Sequence, residues 1–283
     1  MAGVLQTALP CGRIRATQSI RIDLLMKLPS LFRRNPSAHP KKRTRFKTFL
    51  RRGALLVLLF LLLDSLYLLW LMPDWEKLAQ GPVPKSAFME RYEELRKENP
   101  KMPSLRWRPV PLSAISQHMR RAVVVAEDSR FYEHSGIDLA ALQEVWDYNL
   151  EHGRAAFGGS TLSQQLVKNL FLSPSRNPLR KWHELWLTLT MEQKLSKHRI
   201  LELYLNVAEF GPGIYGVGAA SRHYFGKPPS RLSDAEAALL AAVLPNPRRL
   251  HADRPSRYVR ERQRWILTQM RRLRREGWMT RLE

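Results

Sequence analysis

A mainly α-helical domain preceded by one transmembrane helix is expected from three features of this 283-residue chain. The first is a twenty-residue apolar run, Gly53 to Met72, with eleven leucines and one charge, Asp64. The second is the recurrence of apolar residues three and four apart through most of the chain after Ser86. The third is the cysteine count. The only one, Cys11, precedes the apolar run, so the part that follows has no disulfide and must rest on a packed core. About 200 residues remain after the run, enough for one such core.

Residues 1–52 carry thirteen lysines and arginines against one acid, Asp23, and read as a basic arm. Residues 53–72 form the span. At 1.5 Å per residue they cover about 30 Å, the thickness of a bilayer's hydrocarbon core. Asp64 costs roughly 3 kcal/mol at such a depth, and leucines at about −0.5 kcal/mol each outweigh it. Pro73-Asp74-Trp75 follows, with no small-residue cleavage site, so the run is an anchor and not a removable leader. The preceding cations keep the N-terminus in the cytoplasm and put residues 73–283 outside it, as one extracytoplasmic domain. Tyr67, Trp70 and Trp75 are expected as an aromatic belt on the far side. A formal net charge of +22 would suit nucleic acid or an anionic membrane. The span separates the basic arm from the domain, which excludes nucleic acid as a shared partner and leaves the bilayer.

Residues 73–85 hold three prolines and Gly81 and read as a linker. Ser86 to Glu98 has helical spacing. Met119, Ala122 and Val123 continue that spacing beyond a proline-rich connection. Val123-Val124-Val125 would be strand by propensity, but its helical setting favours helix. Ile137 to Leu150 is a helix with Leu139, Leu142, Val145, Trp146 and Leu150 on one side. Gly158-Gly159 then opens a helix from Thr161 to Leu172, with Thr161 and Gln164 spaced as a capping box. Leu179 to Phe210 is helix-compatible almost throughout. Ser233 and Glu236 form a second capping box at the start of an alanine-rich helix, Asp234 to Leu244, which Pro245 and Pro247 stop. The last helix, Ser256 to Arg275, puts Trp265, Ile266, Met270 and Leu273 on one face.

Glu127 and Asp128 are adjacent, about 100° apart on a helix, so only one can face a given cleft. Phe131, His134 and Gly136 imply a tight, partly apolar turn after them. A carboxylate held among apolar groups has its charged form disfavoured and becomes a stronger base. A lone His134 reads as a structural hydrogen-bonder. The Gly158-Gly159-Ser160-Thr161 turn would aim backbone N–H groups from a helix start, which favours anions. Lys168, Arg176, Arg180 and Lys181 follow, and Arg180 with Glu184 is an i,i+4 pair. Either these form a solvated, ion-paired face or they cradle a pyrophosphate, stabilising charge that grows on a leaving group.

These segments closely resemble the peptidoglycan glycosyltransferase family, glycosyltransferase family 51. The resemblance rests on Glu127-Asp-x-x-Phe131-x-x-His134-x-Gly136, on Gly158-Gly-Ser-Thr-Leu-Ser-Gln-Gln-Leu-Val-Lys168-Asn169, and on Arg180-Lys-x-x-Glu184. It continues in Lys197-x-x-Ile200-Leu-Glu-x-Tyr204-Leu-Asn206 and in Gly216 to Lys227, and covers about residues 86–250. No Ser-x-x-Lys or Lys-Thr-Gly occurs, so the likeness is not to relatives with a second, penicillin-binding domain, and the apolar anchor and Leu244-Pro-Asn-Pro247 look like the single-function, Gram-negative branch. It implies a lysozyme-like lobe that polymerises lipid II into β-1,4-linked glycan with inversion, releasing undecaprenyl pyrophosphate. It implies Glu127 as general base. Glu184 would hold a divalent cation, Mg²⁺ or Mn²⁺, or organise the cations on the donor pyrophosphate. Ser160, Gln165, Lys168, Arg176, Arg180 and Asn246 would line the donor side, supported by Asp128, Phe131 and His134. Implied partners are lipid II, the growing strand, the bilayer of an inner membrane, and proteins of cell-wall synthesis and division. Phe88, Met89 and Trp107 are expected near lipid. Two other readings use the same residues: a lysozyme-like glycan hydrolase, which also needs two carboxylates, and an inactive cell-wall scaffold. Asp64 and the basic arm lie outside what the family explains.

Overall fold

The structure is a computed structural model that describes residues 41–153, 159–174 and 177–275. It divides into two compact units, Met1–Leu62 and Leu63–Glu283. Helix α1 (Lys41–Leu71) is 31 residues long, so Lys41 to Arg52, read above as part of a basic arm, are helical. Within it Lys47–Leu71 is long and apolar enough to cross a membrane. Its leucines from Leu55 to Leu66 are exposed, as a lipid-facing surface would be. Asp64 lies two turns from the C-terminal end of this helix.

The expected linker contains a helix, α2 (Trp75–Gln80), capped by the Asp74 side chain on Lys77 N (2.9 Å). That turn brings Trp75 inward, edge-on to Phe171 at 5.7 Å, so Trp75 is core and not part of an aromatic belt. Tyr67 and Trp70 remain exposed. Helix α3 (Ala87–Glu98) starts at Ser86, whose hydroxyl caps Met89 N. Met89 is fully buried and Trp107 donates Nε1–H to Asn206 O (2.9 Å), which takes both away from lipid. Short strands β1 (Arg106–Trp107), β2 (Glu209–Gly211) and β3 (Ile214–Tyr215) form one sheet, with β3 central, parallel to β1 and antiparallel to β2.

The remaining elements are α4 (Gln117–Glu127), α5 (Leu139–His152), α6 (Leu162–Phe171), α7 (Pro178–Lys194), α8 (Lys197–Val207), α9 (Val217–Phe225), α10 (Asp234–Val243) and α11 (Arg257–Arg275). The valine triplet is helical, buried in α4. Both capping boxes form, at Thr161/Gln164 and Ser233/Glu236. The alanines of α10 are small enough for α4 and α11 to pack closely on it. Helix α6 packs against α7 and α8. The apolar side expected for α5 is not a core face, since no α5 residue is buried and Leu139, Trp146 and Leu150 are exposed. Polar links hold this helix instead. Arg130 pairs with Asp138 (2.8 Å), its N-cap, and with Glu144 (2.9 Å). Periodicity identified the helix but not what its apolar side meets.

Gly136 shapes the turn between α4 and α5. Its φ is +97°, and a Cβ there would lie 2.9 Å from Thr188 Cγ2 and 3.1 Å from Glu192 Cγ. Its carbonyl accepts the Thr161 hydroxyl at 2.6 Å. Gly136→Ala is expected to cost about 2 kcal/mol and to lower the melting temperature by about 6 °C, which calorimetry checks.

Candidate active site

Helix α4 delivers one glutamate to the interior. Met119, Ala122 and Val123 bury its face, and the helix ends at Glu127, with Asp128 as an extended C-cap. The two acids diverge, as their adjacency requires. The Glu127 side chain is only 11% exposed. Its Oε2 accepts from Gln165 Nε2 (3.0 Å) and its Oε1 from Arg262 Nη2 (2.9 Å). The same guanidinium nitrogen donates to Ala126 O (3.1 Å). Tyr204, buried in α8, donates its hydroxyl to Gln165 Oε1 (3.0 Å), which turns the Gln165 amide nitrogen towards the glutamate. Burial raises the Glu127 carboxyl above its ordinary pKa, while Gln165, Arg262 and Lys168 hold the rise back. The result is a carboxylate fixed at both oxygens yet more basic than one in water.

Asp128 has a different task. It accepts from His134 Nε2 (3.0 Å) and from the backbone of Leu162 at the start of α6 (2.9 Å). Gly136 N–H donates to His134 Nδ1 (3.2 Å), so the ring proton sits on Nε2. Both His134 ring nitrogens are thus engaged in hydrogen bonds within the fold. Phe131 is fully buried, with Lys197 Nζ 4.5 Å above its ring. These three residues fasten the turn after Glu127 to α6.

The glycine turn does not present the open helix start expected of it. Thr161 N–H donates to Gln164 Oε1, Gln164 N–H to Thr161 Oγ1, and Leu162 N–H to Asp128. The capping box and Asp128 consume the donors that an anion would use. Ser160 is exposed and lines a 240 Å³ hollow with Glu127, Asp128, Arg130 and Trp265. Gln165 and Lys168 open on a second hollow of 170 Å³, with Phe88, Asn169 and Tyr204. Asn246 lines a third, of 410 Å³, whose wall shares Phe88, Glu209, Pro245 and Pro247 with the second. Glu127 thus stands between the Ser160 side and the Lys168 side. Arg176 and Gly158 lie outside the described residues.

Helix α7 supplies the second glutamate. The Glu184 side chain is 3% exposed, with Oε2 2.7 Å from Arg180 Nη1 and Oε1 hydrogen-bonded to Lys181 Nζ. Glu184, Arg180 and Lys181 all act electrostatically on Lys168, as does Glu127. Burial lowers its ammonium below the usual value. A poorly solvated cation of this kind gains most when an anion arrives.

A metal has two places to be weighed. Asp128, His134 and Asp138 offer ligand atoms within 4.8 Å of one another, but Leu162 N–H, Arg130 and Ala141 N–H already occupy the carboxylates. At Glu184 both oxygens carry cations, and the surrounding charge is positive. Among the described residues, a divalent ion at either set would compete with hydrogen bonds and ion pairs that the carboxylates now make.

Arg262, Tyr204 and Trp265 are the site residues that sequence reasoning missed as such. Arg262 had a signal: it falls in register with Val259, Ile266 and Met270, the buried stripe of α11. A charge in an otherwise apolar stripe needs a buried partner. Trp265 was expected on the core face, but it is half exposed and walls the Glu127 hollow.

Residues 97–271 match the family model described as transglycosylase. Among similar proteins, each named biosynthetic peptidoglycan transglycosylase, that of Salmonella arizonae is 48% identical over 244 residues, which cover 85% of this chain and 98% of that protein. That of Aeromonas hydrophila is 54% identical over 161 residues, 57% of this chain and 68% of that protein. That of Nitrosospira multiformis is 47% identical over 186 residues, 65% and 80% respectively.

Proposed function

The chain belongs to the transglycosylase family, and we propose that this glycosyltransferase of peptidoglycan synthesis extends glycan strands from lipid II with Glu127 as its general base. In this reading the Glu127 carboxylate takes the proton from the acceptor sugar's 4-hydroxyl. That oxygen bonds to the donor's anomeric carbon as the bond to the pyrophosphate oxygen breaks. Undecaprenyl pyrophosphate leaves with the electron pair from the opposite face, so an α-linked donor yields a β-1,4 link. The observation that carries the reading is the Glu127 carboxylate, buried, held by Gln165 and Arg262, and raised in pKa, with the Lys168 charge acting on it.

Lys168, Arg180 and Lys181 would take the growing negative charge of the leaving group, with Arg176 and Asn246 as further donor-side contacts. Ser160, on the other side of Glu127, is better suited to the acceptor strand. A hydrolase would have no pyrophosphate for these cations to meet. The proposed role of Glu184 is to hold Arg180 and Lys181 in place. Mg²⁺ or Mn²⁺ would act on the substrate's own phosphates. Glu184→Gln is therefore expected to lower kcat/KM for the donor about 10²-fold, with the same proportional response to added Mg²⁺ as the parent. Initial rates with and without chelator check this.

We place the N-terminus in the cytoplasm and the catalytic unit in the periplasm, on the strength of the cations that precede the apolar run. A polyprenyl chain does not leave the bilayer, so a site that uses it must stay at the surface. The exposed Leu139, Trp146 and Leu150 of α5 would suit contact with lipid better than Phe88, Met89 and Trp107. The direct assay separates products of purified full-length protein on a gel. Elongation of lipid-linked disaccharide supports the reading, and shortening of finished glycan contradicts it.

A further inference from the structure

Asp64 is the one charge in the apolar run, and transfer of a sugar gives it no task. It is not unpartnered. Its Oδ1 is hydrogen-bonded to His183 Nε2 at 2.7 Å, and the two side chains are 9% and 8% exposed. The Tyr67 ring lies 5.3 Å from the imidazole. Leu68, four residues after Asp64, is buried, and Leu71 is partly so, while Leu66, Leu69 and Trp70 are exposed. Asp64, Leu68 and Leu71 therefore form one stripe turned towards the domain. An ionisable group in a membrane helix persists where a specific partner answers it, and here the partner is on α7.

His183 stands next to Glu184 on that helix. Neighbouring side chains on a helix point about 100° apart. Holding His183 against Asp64 thus fixes the rotation of α7 about its axis, and with it the direction in which Arg180, Lys181 and Glu184 enter the interior. Apolar packing alone would leave some freedom to roll. A hydrogen bond is directional and does not.

We infer that the Asp64–His183 pair makes the end of the membrane helix a positioning element for the phosphate-binding cations of α7. Donor affinity then depends on the anchor's own side chain, beyond its holding the domain near the bilayer. The inference rests on the donor role proposed above for Arg180, Lys181 and Glu184.

The test uses full-length enzyme in vesicles, with lipid II as substrate. Asp64→Leu and His183→Leu are each expected to raise the donor KM roughly tenfold, with kcat within about twofold, since small misplacements of binding groups have effects of this order or larger. His183→Gln keeps a donor facing Asp64 and should stay within about twofold of the parent in both constants. The exchange Asp64→His with His183→Asp restores the pair in reverse and should recover most of the lost affinity. Melting curves of all variants identify any that are unfolded, and the exchange variant then decides in their place. An unchanged donor KM in both leucine variants, with Glu184→Gln still impaired, overturns the inference alone. So does a loss that neither His183→Gln nor the exchange relieves. An unchanged kcat/KM for the donor in Glu184→Gln as well would instead remove the donor assignment beneath it.

Discussion

Glu127→Gln is expected to lose roughly 10³-fold or more in polymerisation rate while keeping its fold. The substitution preserves size and removes the ability to accept a proton, but it also sets an amide NH₂ against one of the two donors, Gln165 Nε2 or Arg262 Nη2, from which the carboxylate now accepts. General-base catalysis contributes about 10²- to 10⁴-fold, or about 4 kcal/mol of barrier at the middle of that range. Stability should change little. Burial raises the Glu127 pKa in the folded protein, so the folded protein keeps that proton to higher pH than the unfolded chain. Stability then falls as pH rises from the ordinary glutamate value through the folded one. Ionised Glu127 is a cost at neutral pH that the glutamine variant avoids, which offsets the ion pair lost at Arg262, so the variant should melt near the parent's temperature. A variant that is folded and retains most of its rate would remove Glu127 from the chemistry.

The second large effect is at Arg262, far from Glu127 in sequence and in contact with it through α11. Arg262→Leu is expected to reduce kcat about 10²-fold. Two causes act together. The guanidinium holds one carboxylate oxygen in place, and its charge opposes the rise that burial imposes on Glu127. Without it the carboxyl is more often protonated at neutral pH and freer to rotate. Leucine suits the stripe formed by Val259, Ile266 and Met270, so the protein should remain folded. Arg262→Lys keeps the charge and loses the planar geometry that serves both Glu127 and Ala126 O, and should fall between. Steady-state kinetics with circular dichroism on each variant checks both parts.

Much of this was legible in the chain because the signals were local. A capping box names its own helix start, and Ser233 with Glu236 did so without help from elsewhere. The divergence of Glu127 and Asp128 was expected from helix geometry, and the end of α4 at Glu127, with Asp128 an extended cap, completes it. The Arg180–Glu184 pair follows from four-residue spacing, and it forms at 2.7 Å. What stayed hidden depends on which surface meets which. The apolar side of α5 gave the right element and the wrong environment. Trp75 looked like a membrane-interface residue until the Asp74 cap turned it inward. The glycine turn carried an anion-binding pattern, yet Asp128 and Gln164 fill its donors. Arg262 is 135 positions from the glutamate it steadies, and no spacing rule spans that interval.

The pH dependence of kcat/KM in the parent and in Arg262→Leu reads the state of Glu127 itself. The acid limb reports the free enzyme's base. It should lie above the ordinary glutamate value of 4.5 in the parent, because burial outweighs the stabilising partners, and should move higher still when the arginine is gone. An acid limb at or below that ordinary value, or one that stays put without Arg262, would contradict a buried carboxylate held ready by Gln165 and Arg262.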